Sequence, residues 1–150
     1  AWMQSGTRSV DFTGFLQQQT QRNADLTLAA QLKDKSATLT SVRAQYPAAT
    51  PGAAPTPVTA LRNSATPGVT ETFIFDATSG LLLRRTVRTA TGLNGALNEQ
   101  FDYADYRAVN GVKMPFEIKR TNWNTLDTLK VTDIKANTNI DEAKFAKPKG

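Results

Sequence analysis

The sequence predicts an α+β fold that is mainly β: a curved antiparallel meander of about seven strands with two short helices packed on it. Three observations support this prediction. Turn sequences around Gly80 and Gly111 each separate two strand-like runs. Runs of alternating apolar and polar residues fill most of residues 69–136. Apolar residues at helical spacing come before them.

The two turns can be placed residue by residue. Asp76 ends an apolar run, and Gly80 then supplies the positive φ that a tight loop requires. Asn110 and Gly111 form the pair most favoured for a type I′ turn, in which both central residues have positive φ. The predicted structural turn residues are Asp76, Gly80, Asn110 and Gly111.

The strand boundaries follow from turns rich in Gly, Pro or Asn. The seven predicted strands are residues 36–44, 58–63, 69–76, 81–89, 97–108, 112–121 and 127–136. Alternation places Leu83 and Val87 on one face of their strand, and Arg84 and Arg88 on the other. We therefore expect one apolar face throughout the sheet and one polar or charged face.

Two short amphipathic helices are predicted before the sheet, each following an aspartate that can cap it, Asp11 or Asp25. The length of 150 residues fits one domain with a single core. We expect residues 1–150 to be a single β-rich domain, the C-terminal part of a longer precursor. Residues 47–57 hold four of the seven prolines and predict an exposed Pro- and Ala-rich loop.

The chain contains no cysteine and no histidine. Covalent haem attachment, thiolate or imidazole zinc sites, His-ligated chlorophyll, and Ser-His-Asp or Cys-His catalysis all need one of these residues. We therefore expect no cofactor in this chain. No apolar run reaches the roughly 20 residues that a transmembrane helix requires, so no transmembrane segment is expected either.

Carboxylates are the remaining catalytic groups, with Glu99, Asp102 and Asp105 close in sequence. On a strand, Asp102 points away from the other two, which would lie roughly 20 Å apart, too far for paired acid–base work. Cross-strand ion pairs are expected instead, and the protein is not expected to be an enzyme. The expected basic partners are Lys113, Lys119 and Arg120.

The net charge of +5 is dispersed along the chain. Arg84, Arg85 and Arg88 are the only local concentration of basic residues, and no stacking aromatics are interleaved with them, so no nucleic-acid partner is expected. Basic and apolar residues on the outer strand face, together with a tryptophan at a loop tip, have the composition of a protein interface. The candidate partner-binding residues are Leu82, Arg84, Arg88 and Trp123.

A second possibility is a carrier whose helices and sheet enclose a hydrophobic ligand. A filled space between helices and sheet would indicate a docking module, and an open apolar cavity would indicate a carrier. The cavity residues would be Phe12, Phe15, Leu16, Leu28, Leu32, Phe73, Phe75, Phe101 and Phe116.

Four stretches carry a family resemblance: residues 73–76, 79–84, 102–116 and 139–145. With them, the stretch from Glu71 to Pro148 resembles the C-terminal module of the bacterial photosynthetic reaction centre cytochrome c subunit family. That module is similar to outer-membrane lipoprotein-sorting proteins of the LolA/LolB type, whose fold is an open half-barrel. Family members typically carry CxxCH haem motifs upstream, and this chain has none.

The resemblance implies a helper module and not a redox centre. It implies a non-catalytic periplasmic binding and assembly module, docked on a membrane-bound photosynthetic reaction centre or related electron-transfer complex. The partners would be protein subunits of that complex, and the membrane association would come from those partners or from an uncovered N-terminal segment. The alternative that it implies is a LolA/LolB-like carrier of lipoprotein acyl chains or another hydrophobic ligand, so lipid is the other expected partner.

Overall fold

The computed structural model divides the chain into two compact units. The terminal unit comprises Ala1–Lys35 and Asn137–Gly150, and the sheet unit comprises Ser36–Ala136. The described residues are 2–5, 8–11, 13, 14, 17, 20, 32–34, 36–48, 51–91, 95–135, 138, 139, 141, 143, 146 and 147.

In the terminal unit, two short strands form an antiparallel pair. Strand β1 is Trp2–Ser5 and strand β2 is Arg8–Asp11, with Trp2 opposite Asp11. Asp11 also forms an ion pair with Lys147, with Oδ2 and Nζ 2.7 Å apart. Residues 14, 17, 20 and 32–34 are helical.

The sheet unit is an open antiparallel meander of seven strands, which confirms the predicted fold class and strand number. Each strand pairs with the next along the chain, and the short 3-10 helix Ser36–Thr38 comes before the first. The strands are β3 (Leu39–Val42), β4 (Val58–Asn63), β5 (Val69–Asp76), β6 (Leu82–Ala90), β7 (Ala96–Val109), β8 (Val112–Thr121) and β9 (Leu126–Lys130). Strand β9 ends at Lys130, earlier than residue 136 where the sequence places its end.

Both turns adopt conformations that their residues favour. The side-chain Oδ1 of Asp76 accepts hydrogen bonds from the backbone N–H groups of Thr78 and Ser79, at 3.0 and 2.6 Å, and Gly80 has a φ of 70°. Asn110 and Gly111 have φ values of 47° and 81°, the two positive values of a type I′ turn.

One face of the sheet forms the core. Val69, Val87 and Phe101 are buried there and pack with Tyr103 and Ile118. The expectation that this face is apolar throughout is wrong, because it also carries charged residues that pair with one another. They are Glu71, Arg85, Glu99 and Arg120.

The core-face charges lie in neighbouring rows of the sheet. Arg85 donates from Nη2 to Oε1 of Glu71 at 2.5 Å, with the two side chains only 6% and 8% exposed. The guanidinium of Arg85 also lies 5.7 Å from the centre of the Phe101 ring. Arg120 donates to Glu99 at 2.5 Å. A buried charge requires a partner, so the register of β5 to β8 is tied to these pairs.

The loop before β4 is irregular and mostly exposed in its described part, residues 47, 48 and 51–57. Thr56 donates from Oγ1 to the Pro47 carbonyl at 3.0 Å, which joins the two ends of this loop. Among the residues that the structure describes, no helix combines the length and the apolar character needed to cross a bilayer.

Candidate functional site, a polar groove on the sheet

The face of the sheet opposite the core carries an open groove of about 510 Å³. We call it the polar groove. Most of its lining residues are threonine, asparagine, glutamine or arginine, which also contribute apolar surface. The lining residues are Arg62, Thr70, Thr72, Thr86, Val87, Arg88, Asn98, Glu99, Gln100, Thr121, Asn122 and Trp123, although strand alternation places the side chains of Val87 and Glu99 on the core face.

Strand register explains why these polar residues meet. In one row, Arg62 of β4 is followed across the strands by Thr72, Thr86, Gln100 and Thr121, each directly opposite the one before it. Strands lie about 4.8 Å apart, so this row is about 19 Å long. The groove therefore crosses five strands at nearly right angles to their direction.

A second, shorter row contains Thr70, Arg88 and Asn98. Arg88 and Arg62 lie two strands apart and two residues apart along the strands. Standard strand spacing and rise then place their Cα atoms about 12 Å from each other. The two guanidinium groups thus face the same groove from different strands.

Both arginines are exposed, and neither has an ion pair or side-chain hydrogen bond in the part of the chain that the structure describes. Glu99 is the acidic residue of the lining, and its carboxylate is bound by Arg120 on the core face. The groove is therefore positively charged. It offers two guanidinium groups to an anionic ligand, and the threonines and amides beside them can donate and accept hydrogen bonds.

Trp123 stands at one end of the groove on a turn that its neighbours hold in place. The Asn122 Oδ1 accepts hydrogen bonds from the backbone N–H groups of Asn124 and Thr125, at 3.2 and 2.9 Å, and from the Thr125 hydroxyl at 2.9 Å. The Trp123 residue is nonetheless 82% exposed. A large ring on a hydrogen-bonded turn is a ready-made apolar contact for a partner.

The structure brings Arg88 and Trp123 to the same groove but separates Arg84 and Leu82 from it. Arg84 donates from Nε to Asp102 at 2.5 Å, and its guanidinium lies 5.0 Å from the centre of the Tyr46 ring. Leu82 is half-buried at the start of β6. Neither residue lines the groove.

Tyr106 accounts for the environment of Leu82. Its hydroxyl donates to the Leu82 carbonyl at 2.6 Å. Burial, with the Tyr103 hydroxyl nearby as a smaller cause, raises the pKa of Tyr106 to about 12. Tyr106 therefore stays protonated and remains a donor at neutral pH. Its hydrogen bond to Leu82 holds the start of β6 in place, which is a structural role.

The four described phenylalanines that were predicted for a hydrophobic cavity lie on the core face, away from the groove. Strand alternation and register place Phe73, Phe75, Phe101 and Phe116 on that face, and all but Phe75 are buried. Leu32 is helical and half-buried in the terminal unit. The other predicted cavity residues lie outside the described residues, and they are Phe12, Phe15, Leu16 and Leu28.

The three carboxylates considered for catalysis are all ion-paired. Glu99 pairs with Arg120 across the strands, as expected, whereas Asp102 pairs with Arg84. Asp105 pairs along its own strand with Arg107, and this contact lowers the pKa of Asp105. Within the described ranges, no cluster of three acidic side chains is placed to hold a metal ion.

Arg62 is the basic groove residue that sequence reasoning missed, and the threonines and amides of the groove were missed as well. Arg62 stands alone in a short strand with few apolar residues, and nothing near it in sequence marks it as functional. Only the pairing of β4 with β5 and of β5 with β6 brings it to the groove with Arg88.

No protein-family model, curated protein or solved structure matches this chain. The family resemblance of residues 71–148 therefore stays a prediction.

Proposed function

We propose that this protein is a non-catalytic binding and assembly module that docks through the polar groove onto an acidic protein surface. The observation that carries the proposal is the pair Arg62 and Arg88, two exposed guanidinium groups without acidic partners among the described residues, beside the exposed Trp123. Arginine and tryptophan are the residue types most enriched among the residues that dominate binding at interfaces.

The resemblance supplies the setting of the proposal. The partner would be a subunit of a membrane-bound photosynthetic reaction centre or related electron-transfer complex, met in the periplasm. The lack of cysteine and histidine in the chain agrees with a role in binding and not in electron transfer. Attraction between a basic groove and an acidic surface speeds the encounter and orients the two proteins.

Affinity capture from solubilised membranes of the source organism tests this function. The variant carries Arg62→Glu and Arg88→Glu. The matched control carries Arg43→Glu and Lys113→Glu, two exposed basic residues outside the groove, so that both proteins have the same net charge. We expect wild type and control to recover subunits of one membrane complex and the groove variant to lose them. Equal recovery of the same subunits by all three proteins would contradict docking through this groove.

A carrier of acyl chains is the second candidate. It would need to open a space beside Phe73, Phe101 and Phe116, which are buried on the core face. Native mass spectrometry of protein purified from its source would then detect a bound lipid, and delipidated protein would take up a fluorescent fatty acid. Ligand-free protein that binds no such probe would remove this candidate.

A further inference from the structure

We propose that the polar groove binds an extended acidic segment of a partner chain, laid across strands β4 to β8 with its apolar end against Trp123. This inference rests on the proposed function and specifies the form of the partner. An extended segment is one whose backbone has strand-like dihedrals over several residues.

The shape of the groove favours a linear ligand. Its long row runs from Arg62 to Thr121 across five strands. Trp123 lies on the turn directly after β8 and lines the groove together with Arg88 and Asn98. Standard strand spacing puts Arg62 about 19 Å from Thr121, the last residue before this turn. About six or seven residues of extended chain cover that distance.

The order of chemical groups along the groove sets the ligand pattern. Arg62 comes first, Arg88 follows about 12 Å further, and Trp123 lies at the far end of the groove, on the turn after β8. In an extended chain, side chains four residues apart lie on the same side and about 13 Å apart. Two carboxylates at that spacing can therefore meet the two guanidinium groups at once, and an apolar side chain after them can meet the indole ring.

The floor of the groove suits a peptide backbone. Thr72, Thr86 and Thr121 present β-branched side chains whose rotamers are restricted, and each hydroxyl both donates and accepts. Gln100 in the same row and Asn98 in the adjacent row add amide groups. These groups can satisfy the N–H and C=O groups of a bound chain, which otherwise lose their hydrogen bonds to water. The strand edges take no part, because the groove lies on the face of the sheet.

Isothermal titration with synthetic peptides tests the inference. The test peptide has seven residues, with glutamates at its first and fifth positions, leucine at its seventh and small polar residues elsewhere. The control peptide has the same composition with both glutamates adjacent. We expect wild type to bind the test peptide more tightly than the control, and the Arg62→Glu, Arg88→Glu variant to bind it at least about tenfold more weakly because two charge-assisted contacts are lost.

Two further measurements complete the test. Trp123→Ala should weaken binding of the test peptide but not of a peptide that lacks the leucine. Polygalacturonate, an acidic polysaccharide, is titrated in parallel. Binding of polygalacturonate without binding of either peptide would overturn the inference, and so would equal binding of the test and control peptides.

The failures of the two proposals can be told apart. If the peptides do not bind but the groove variant still loses the membrane complex in the capture experiment, the extended-segment inference is wrong and docking through the groove stands. If the capture experiment shows equal recovery, the proposed function fails whatever the peptides do.

Discussion

At the scale of single residues, residue type determines backbone conformation most clearly where φ is positive. Asn110 and Gly111 occupy such positions in the β7–β8 turn, and their sequence predicts them. Asp105 also has a positive φ, of 52°. It lies inside β7, and nothing in the sequence predicts a positive φ there. Aspartate tolerates this conformation better than most residues do, which explains its use there.

The β7–β8 turn gives the first prediction. Gly111→Val forces a β-branched residue to a φ of 81°, and we expect it to lower the free energy of unfolding by about 1–3 kcal/mol. Gly111→Asn is the control, and its loss should be smaller because asparagine accepts positive φ. Urea denaturation of the three proteins measures the difference. Equal losses for valine and asparagine would mean that backbone strain is not the cause.

Asp76 gives a prediction about pH. Hydrogen bonds to its carboxylate, the largest from the Ser79 backbone N–H, lower the pKa of Asp76 below its ordinary value of 3.8. Because the pKa is lower in the folded state, the stabilisation is complete above pH 3.8 and is lost as the pH falls through the folded-state pKa.

The matching variant is Asp76→Asn, which keeps an acceptor oxygen in the turn but cannot ionise. Thermal unfolding is measured for both proteins from neutral pH down to about pH 2. Wild type should be the more stable protein at neutral pH, and its advantage should shrink below about pH 4. An advantage that stays constant over this range would show that the charge of Asp76 does not contribute.

At the scale of strands, the buried pair Arg85 and Glu71 ties β6 to β5. We expect Glu71→Ala to destabilise the protein by about 3–5 kcal/mol, because it leaves the Arg85 charge buried without its partner. Lys119→Ala removes an exposed pair with Glu117 and should cost about 1 kcal/mol or less. Urea denaturation measures both.

A double variant separates charge from packing. Arg85→Met together with Glu71→Leu replaces the pair by apolar side chains, and such replacements are often neutral or stabilising. The double variant should therefore be more stable than Glu71→Ala alone. If it is as unstable as the single variant, lost packing and not the uncompensated charge explains the effect.

Strand order could be predicted from the sequence because short turns join neighbouring strands, and alternation assigned Val87 and Phe101 to one face. The burial of Arg85 and Glu71 could not be predicted, since charged residues are usually exposed and only register shows that these two meet. The meeting of Arg62 and Arg88 in the groove also depends on register, across three strands. Of the three residues that carry the proposal, Arg88 and Trp123 could be found from the sequence, and Arg62 could not.

Pro115 shows how a local rule depends on the wider sheet. A proline removes a backbone donor and is expected at a sheet edge or a bulge, yet β8 is an inner strand. Pairing between β8 and β9 begins only at Glu117, opposite Lys130. Pro115 thus lies beyond the end of β9 and is paired only with Tyr106 of β7, next to Asp105 with its positive φ.

At the scale of the whole sheet, the sheet does not close into a barrel, so β9 lies at one edge. Among the described strands, β9 pairs only with β8, and all five of its residues are exposed. Leu126 and Leu129 are 69% and 58% exposed, so the edge is partly apolar. Asp127 and Lys130 are the charges along it, and charged residues at an edge hinder pairing with the edge of another molecule.

Removing these two charges gives the last prediction. Asp127→Val with Lys130→Val leaves the net charge unchanged but makes the edge apolar and rich in β-branched residues, which favour strand pairing. The control is Asp133→Val with Lys135→Val, an exposed pair beyond the end of β9 whose removal also leaves the net charge unchanged. Sedimentation velocity over a series of concentrations should show that the edge variant associates at lower concentration than wild type or the control. If both variants associate alike, added surface hydrophobicity explains the association, and the charges on β9 have no special role in protecting the edge.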